Sequence, residues 1–378
     1  MRADSIHLKN VRNHSDTLVR ELAPKINILT GPNGAGKTSI LEALSLTTLT
    51  KSFTTSTDSV LIRTDEQTLE VETRFFSDLE VPHRVLVTID IGPPLKKTLF
   101  ANSERVRSSA DLIGRAPVVI ITPDEKIITG GSPGERRRFL NMVLSQASRA
   151  YLEDEIEYRR ALKQRNAVLG DARKERRSSG NLQAMLEPWT VLLIKHGSRI
   201  MRRRAAFCEE FLPCLTDSYA LLSERRERPS IEYQPMGSKL QAADFATFLE
   251  EQSNYAFSEE IRRGTTLFGP HRDELLLCIN PGQEARLYAS QGQHKTLLVA
   301  MKLAEFEYLR TASGETPILL LDDVFSELDE RRAVQLLERA SSRSFGQTFI
   351  TSTEGERFKA IHLGSDHRIF TVENGLVA

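Results

Sequence analysis

Gly31-Pro32-Asn33-Gly34-Ala35-Gly36-Lys37-Thr38 has two glycines five positions apart, followed by a lysine and a hydroxyl residue, the spacing that a triphosphate site requires. Glycines allow successive backbone N–H groups to curl around phosphate oxygens, and a helix N-terminus directly behind them adds favourable partial charge. Lys37 is expected to reach the β and γ phosphates of ATP, Thr38 to place its hydroxyl on Mg2+, and Ser39 to continue the binding segment. The alternative is a glycine-rich turn that only ends a strand; a strand pattern before and a helix pattern after argue against it.

Such a magnesium ion needs a carboxylate at the end of a neighbouring strand. Ile318-Leu319-Leu320-Leu321-Asp322-Asp323 supplies four apolar residues and then two acids. Asp322 would hold the metal through water, and Asp323 would orient or deprotonate an attacking water. The competing reading is that the two acids cap the next helix. Lys37, Asp322 and Asp323 are the catalytic candidates, with Thr38 and Asp322 as metal ligands.

Ser290-Gln291-Gly292-Gln293 opens a helical stretch 32 residues before Asp322. It resembles a shortened ABC-type signature, in which Ser290, Gly292 and Gln293 would offer a hydroxyl and a helix N-terminus to a γ-phosphate. A plain N-cap also fits these residues. Ser326-Glu327-Leu328-Asp329 resembles the D-loop of the same class, which makes Asp329 a further nucleotide contact. In ABC-type ATPases the signature faces the nucleotide of the opposite subunit, so the resemblance implies an ATP-dependent homodimer.

The elements that position these residues follow from periodicity. Residues 25–30 read as a buried strand and 37–50 as a helix. Leu69, Val71, Thr73 and Phe75 alternate, as do Val85, Val87, Ile89 and Ile91, predicting antiparallel strands. Pro117–Ile121 predicts another strand. From Gly130-Gly131 the character changes: Ser132, Pro133 and Glu135 predict a capping-box helix start. Long helices are expected from there to about 228, broken at Gly170, at 178–180 and at Pro213, with two shorter helices between 238 and 262. Strands return after Thr265, around a helix at 293–311. The fold class expected is α/β, an ABC/SMC-type P-loop ATPase head with mixed sheets, interrupted by a helical arm domain. The head would comprise 1–122 plus 265–378, and the arm 123–264.

Hydrophobic residues make up 40% and charged residues 27% of 378, compatible with packed cores rather than disorder. No apolar run approaches a membrane span, and no membrane partner is expected. Cys208, Cys214 and Cys278 lack metal-binding spacing and read as reduced thiols of a cytoplasmic protein. The formal net charge is zero, yet residues 131–204 carry 17 Lys/Arg against 8 Asp/Glu. Clusters at Arg136–Arg138, Arg159-Arg160, Arg173-Lys174 with Arg176-Arg177, and Arg202–Arg204 suit a polyanion bound through its backbone. A solvated helical face paired with the acids at Glu153–Glu157 is the alternative. Few aromatics are interleaved, so double-stranded DNA is favoured over stacking on single strands. His271 and Arg272, after a Gly-Pro turn, are candidates for phosphate or DNA contact.

Along nearly its whole length the chain resembles the RecF family of recombination mediators. Beyond the ATPase motifs, the resemblance is carried by Gly131-Ser132-Pro133 through Arg136-Arg137-Arg138-Phe139-Leu140-Asn141, Leu162-Lys163-Gln164-Arg165-Asn166, Gly269-Pro270-His271-Arg272-Asp273, and Ser290 through Leu303-Ala304-Glu305. It implies a cytoplasmic, weakly active, DNA-stimulated ATPase with an SMC-like head. It also implies an ATP-induced dimer on double-stranded or gapped DNA, with weaker single-strand binding, acting with RecO and RecR in repair and replication restart to load RecA at gaps. Three positions depart from the family pattern: Thr54 stands for the arginine of Ser-Phe-Arg, Pro123-Asp124-Glu125 for Pro-Glu-Asp, and Ser39 for a frequent asparagine. A transporter ATPase would carry a glutamine near 121–124 and a histidine near 351–353, and a full SMC protein needs a far longer insertion. A clamp that binds ATP without hydrolysing it is the rival of a different class, since Asp323 is shorter than the glutamate common at that place.

Overall fold

The structure, a computed structural model, describes residues 1–175, 179–223, 227–238, 244–326, 330–342, 345–353 and 366–378. In chain order the elements are β1 (Arg2–Val11), β2 (His14–Val19), β3 (Ile26–Thr30), α1 (Lys37–Leu49), β4 (Thr68–Phe76), β5 (Pro82–Asp90), β6 (Lys96–Ala101), β7 (Glu104–Arg105) and β8 (Val118–Ile121). The chain continues with α2 (Ile127–Gly130), α3 (Pro133–Ala147), α4 (Arg149–Glu175), α5 (Ser179–Leu222), β9 (Ser230–Gln234), α6 (Phe245–Arg263), β10 (Glu274–Asn280), β11 (Gln283–Glu284), α7 (Ala285–Tyr288) and α8 (Gln291–Ser313). It closes with β12 (Ile318–Asp322), α9 (Glu330–Ser341), β13 (Thr348–Ser352), β14 (His367–Glu373) and β15 (Leu376–Val377).

Two compact units result: Met1–Glu125 with Val299–Ala378, and Lys126–Leu298. The junction expected at 264/265 falls instead at 298/299, because β10 pairs antiparallel with β9 and α7 packs on α2 and β10, which keeps this stretch with the helices.

Among the described residues the first unit holds two six-stranded sheets. One runs β15-β14-β3-β13-β12-β8, parallel throughout except for the antiparallel edge strand β15. Ile26–Thr30, Val118–Ile121 and Ile318–Leu321 are buried at every position, as expected where a parallel sheet is covered on both faces. The other sheet is antiparallel, in the order β2-β1-β4-β5-β6-β7. Helix α1 packs on strands of both sheets, and every residue from Ser39 to Leu49 is buried. A helix enclosed on all sides has no polar stripe to show, so its periodicity is weak.

A buried ionic cluster lies in this unit. Lys302 Nζ is 2.8 Å from Glu125 Oε1 and 3.1 Å from Glu305 Oε2. Two carboxylates share one ammonium, and burial, opposed by Lys302, pushes Glu305 from its usual 4.5 up to about 7. Between those pH values the folded chain keeps a proton that the unfolded chain releases. Stability contributed at this carboxyl therefore declines as pH rises through the window, by up to about 3 kcal/mol. Urea unfolding of Glu305→Gln should show a flatter pH dependence than the parent between pH 5 and 7; identical slopes would contradict the assignment.

The second unit is mainly helical, with a small antiparallel sheet β11-β10-β9. Gly170 and Pro213 do not break helices: α4 runs through the first and α5 through the second. Packing overrides local preference here. Leu169 and Ala172 are buried in a cluster with Leu182 and Leu186, and Phe211 and Leu215 flank Pro213 in the core. Ser132 occupies the N-cap of α3 with Pro133 behind it, but its side chain makes no capping bond. Where two short helices were expected, the described residues show one, α6, capped by Asp244 and closed by Gly264.

Three arginines of the basic stretch are interior. Arg136 pairs with Glu274 at 2.8 Å, Arg165 with Glu260 at 2.7 Å and Arg204 with Asp273 at 2.7 Å; none is more than 3% exposed. Arg204 also donates to Pro270 O (2.6 Å), Asn141 Oδ1 (2.9 Å) and Tyr151 Oη (3.1 Å). Asp273 in turn accepts from Tyr233 Oη and from Met236 N at 3.0 Å. His271 bonds Tyr158 Oη at 2.6 Å, and burial lowers its pKa to about 4, so the ring is neutral and committed inside the unit. The Gly-Pro-His-Arg-Asp segment is thus a core device in which only Arg272 is exposed.

Candidate functional site

Strand β3 runs directly into the glycine-rich loop, and α1 begins at Lys37. Gly36 takes φ 110°, and a Cβ there would collide with the His14 ring and the Asn13 amide, so only glycine fits. Lys37, 8% exposed, donates from Nζ to Gly31 O (2.8 Å) and Pro32 O (2.9 Å). Burial lowers its pKa, while Asp323 and Asp322 favour the charged form.

Strands β3 and β12 do not touch. Strand β13 lies between them, parallel to both, and this sets the site. Thr38 Oγ1 donates to Asp322 Oδ1 at 2.9 Å. From β13, Thr351 Oγ1 donates to the same oxygen at 2.8 Å and accepts the Asp323 N–H at 2.9 Å. Asp323 adopts φ 50°, a left-handed turn at the strand end. Burial pushes the Asp322 pKa up although the Thr351 and Thr38 hydroxyls oppose it, and Asp323 and Glu42 push the same way. Asp322 is half-buried among hydroxyls and two further acids, with the Lys37 ammonium as the nearby positive charge. The hard oxygen donors Thr38 and Asp322 suit a magnesium ion, which would add positive charge where three carboxylates converge.

Beside these groups is a cavity of about 490 Å³ lined by Asn33, Gly34, Gly36, Lys37, Thr38, Ser39 and Asp323. Arg12, Asn13, Glu42, Thr54, Thr351 and Thr353 also line it, and the sequence reading did not select them as site residues. Arg12 and Asn13 sit in the β1–β2 turn, with no phosphate-binding spacing to betray them. Arg12 Nε pairs with buried Glu42 Oε2 at 2.7 Å, and Thr54 Oγ1 donates to Glu42 while accepting from Arg12 Nη2 at 3.0 Å. At the departure from Ser-Phe-Arg, a guanidinium therefore still flanks the cavity, supplied by Arg12.

In the second unit, Ser290 and Gln293 form a reciprocal capping box: Ser290 N–H donates to Gln293 Oε1 (2.8 Å) and Gln293 N–H to Ser290 Oγ (3.3 Å). Ser290 is exposed and Gly292 half-buried, at the start of α8. Asp329, with Glu327 and Leu328, lies outside the described residues, as do Arg176 and Arg177. Of the basic stretch, Arg138, Arg160, Lys163, Arg173, Lys174 and Arg202 are exposed. Arg159 and Arg203 are paired with Glu155 and Glu210. Among the described residues no helix is long and apolar enough to cross a membrane.

Residues 3–377 match the family model of the RecF/RecN/SMC N-terminal domain. The chain is 39% identical over 359 residues to the DNA replication and repair protein RecF of Salinibacter ruber, covering 94% of this chain and 85% of that protein. The RecF protein of Chloroherpeton thalassium is 38% identical over 365 residues, covering 96% and 97%. A solved structure of the recombination mediator protein RecF with ATP, of the RecFOR pathway, superposes with TM-score 0.87 at 27% identity, covering 100% and 96%. An SMC head domain from Pyrococcus furiosus superposes with TM-score 0.54 at 14% identity over 99% of this chain and 94% of that one, a likeness of fold alone.

Proposed function

This chain belongs to the RecF family, and on that premise we propose that it is an ATP-dependent DNA-binding protein of recombinational repair. The observation that carries the reading is the pair of hydrogen bonds that Thr38 and Thr351 donate to one oxygen of Asp322, the first joining residues 284 positions apart beside a phosphate loop. The loop amides and Lys37 receive the triphosphate of ATP, and Thr38 and Asp322 hold Mg2+. When bound, the metal would neutralise part of the triphosphate's negative charge. Asp323, on the cavity wall, orients the attacking water for slow, DNA-stimulated hydrolysis.

Ser290, Gly292 and Gln293 complete the nucleotide site of a second copy, which makes ATP the bridge of a homodimer. The exposed helix start of α8 supports this reading. Ser290→Arg should leave MgATP affinity within about twofold and weaken ATP-dependent dimers at least tenfold; light scattering that still shows full dimerisation in the variant would exclude the role.

The dimer binds double-stranded or gapped DNA, with single strands bound more weakly, and works with RecO and RecR in loading RecA. Exposed Arg160 and Lys163 on α4 carry part of the phosphate contact. Reversing both to glutamate should lower duplex affinity and reduce the slope of log affinity against log salt by about two. An unchanged slope in fluorescence anisotropy titrations would place the DNA elsewhere.

A further inference from the structure

A phosphate loop functions only if its N–H groups point inward, which requires its carbonyls to point outward and be satisfied there. Here each of five loop carbonyls has a named donor. Lys37 Nζ serves Gly31 and Pro32. Asn13 Nδ2 donates to Gly34 O (3.1 Å), Gly375 N–H to Ala35 O (3.1 Å), and His14 Nε2 lies 3.1 Å from Gly36 O. The last three donors come from outside the loop: Asn13 from the β1–β2 turn, His14 from the start of β2, and Gly375 from the β14–β15 turn at the far end of the sequence.

Topology explains the reach of the second turn. Strand β14 runs parallel beside β3, with Thr371 opposite Thr30, so both strands leave the sheet at the same end. The turn at Asn374-Gly375 then meets the loop that follows Thr30. Gly375 has φ 78°, and a Cβ on it would run into Asn13 O and lie 3.3 Å from His14 Cα. His14 is fully buried between the two turns, its Nδ1 2.9 Å from Gly375 O. Thr17 Oγ1 already donates to that oxygen at 2.6 Å.

We propose that His14 and the C-terminal hairpin turn at Gly375 are positioning residues for the triphosphate: His14 donates through Nε2 to Gly36 O, Gly375 N–H donates to Ala35 O, and together they hold the loop amides toward the ligand. Neither residue lines the cavity, so neither acts by touching nucleotide. Burial lowers the His14 pKa, which keeps the ring neutral with a single proton to donate. The tautomer that serves the loop carries that proton on Nε2, where it is a second donor to Gly36 O beside the Ser39 N–H at 3.0 Å, while Thr17 serves Gly375 O.

The inference rests on the nucleotide-binding reading, and the test separates the two. MgATP and magnesium tripolyphosphate are titrated, each competing with a fluorescent nucleotide, into the full chain and into His14→Leu, His14→Gln and Gly375→Ala. Glutamine places an amide N–H near the position of Nε2. The brace predicts that His14→Leu and Gly375→Ala weaken both ligands at least tenfold and by the same factor, while His14→Gln stays within about threefold of the parent. A role only in stability would lower the thermal midpoint without changing the affinity of the folded protein. Failure of the parent to bind MgATP would overturn the nucleotide reading itself. A parent that binds alongside a His14→Leu or Gly375→Ala variant of equal affinity would overturn the brace, as would a glutamine variant as weak as leucine. If His14→Leu does not fold, Gly375→Ala is scored by the same criteria.

Discussion

Lys37→Ala lowers MgATP affinity by about a hundredfold or more, in a protein that remains folded. The ammonium is nearly enclosed and rests on two neutral carbonyls, Gly31 O and Pro32 O. Turning to phosphate exchanges those acceptors for charged ones, and charge-assisted hydrogen bonds are each worth roughly 1.5–3 kcal/mol. Losing about 3 kcal/mol corresponds to two powers of ten in affinity. The fold should persist, because the loop stays tied by Asn13, His14 and Gly375, and Pro32 is exposed to water. Calorimetric titration with MgATP tests this; an affinity equal to the parent's would mean that the triphosphate does not sit on the loop.

Arg204→Ala destabilises the chain by about 3–5 kcal/mol, the cost of leaving a buried carboxylate without its partner. Asp273 is fully buried and takes its only ion pair with a side chain among the described residues from Arg204. The same guanidinium serves Pro270 O, Asn141 and Tyr151, so one truncation removes a donor from several interior acceptors at once. For a unit of this size the thermal midpoint falls by roughly 10 °C. Chemical unfolding of the full chain, followed by circular dichroism, measures the loss. A change below about 1 kcal/mol would mean that the network is not formed in solution. Because Arg204 faces inward, its loss should weaken DNA binding only in proportion to unfolding, unlike the loss of Arg160 or Lys163.

Runs of like charge were the least legible part of the sequence. Arg202, Arg203 and Arg204 are neighbours in the chain, yet on a helix they point about 100° apart. Arg202 is exposed, Arg203 pairs with Glu210, and Arg204 is buried. Arg136–Arg138 divides in the same way. Counting charge along the chain detects an excess but not its direction, and partners such as Asp273 and Glu260 lie 69 and 95 residues away. Helix ends within the second unit were also misread at Gly170 and Pro213, where buried neighbours outweigh the local breaker.

The glycine-rich loop between a strand and a helix, the apolar strand that ends at Asp322 and the class of the fold were legible in the sequence alone. Each rests on a short contiguous pattern whose chemistry requires its own spacing: glycines for close backbone approach, apolar runs for strands covered on both faces. The tertiary structure alone decided what surrounds them. By placing β13 between β3 and β12 it brought Thr351 onto Asp322, and by laying β14 beside β3 it carried Gly375 to the loop. It also brought Arg12 and Asn13 to the cavity wall. Contacts of that kind arise from the order of strands across a sheet, which pairs residues hundreds of positions apart and leaves no local periodicity by which to recognise them.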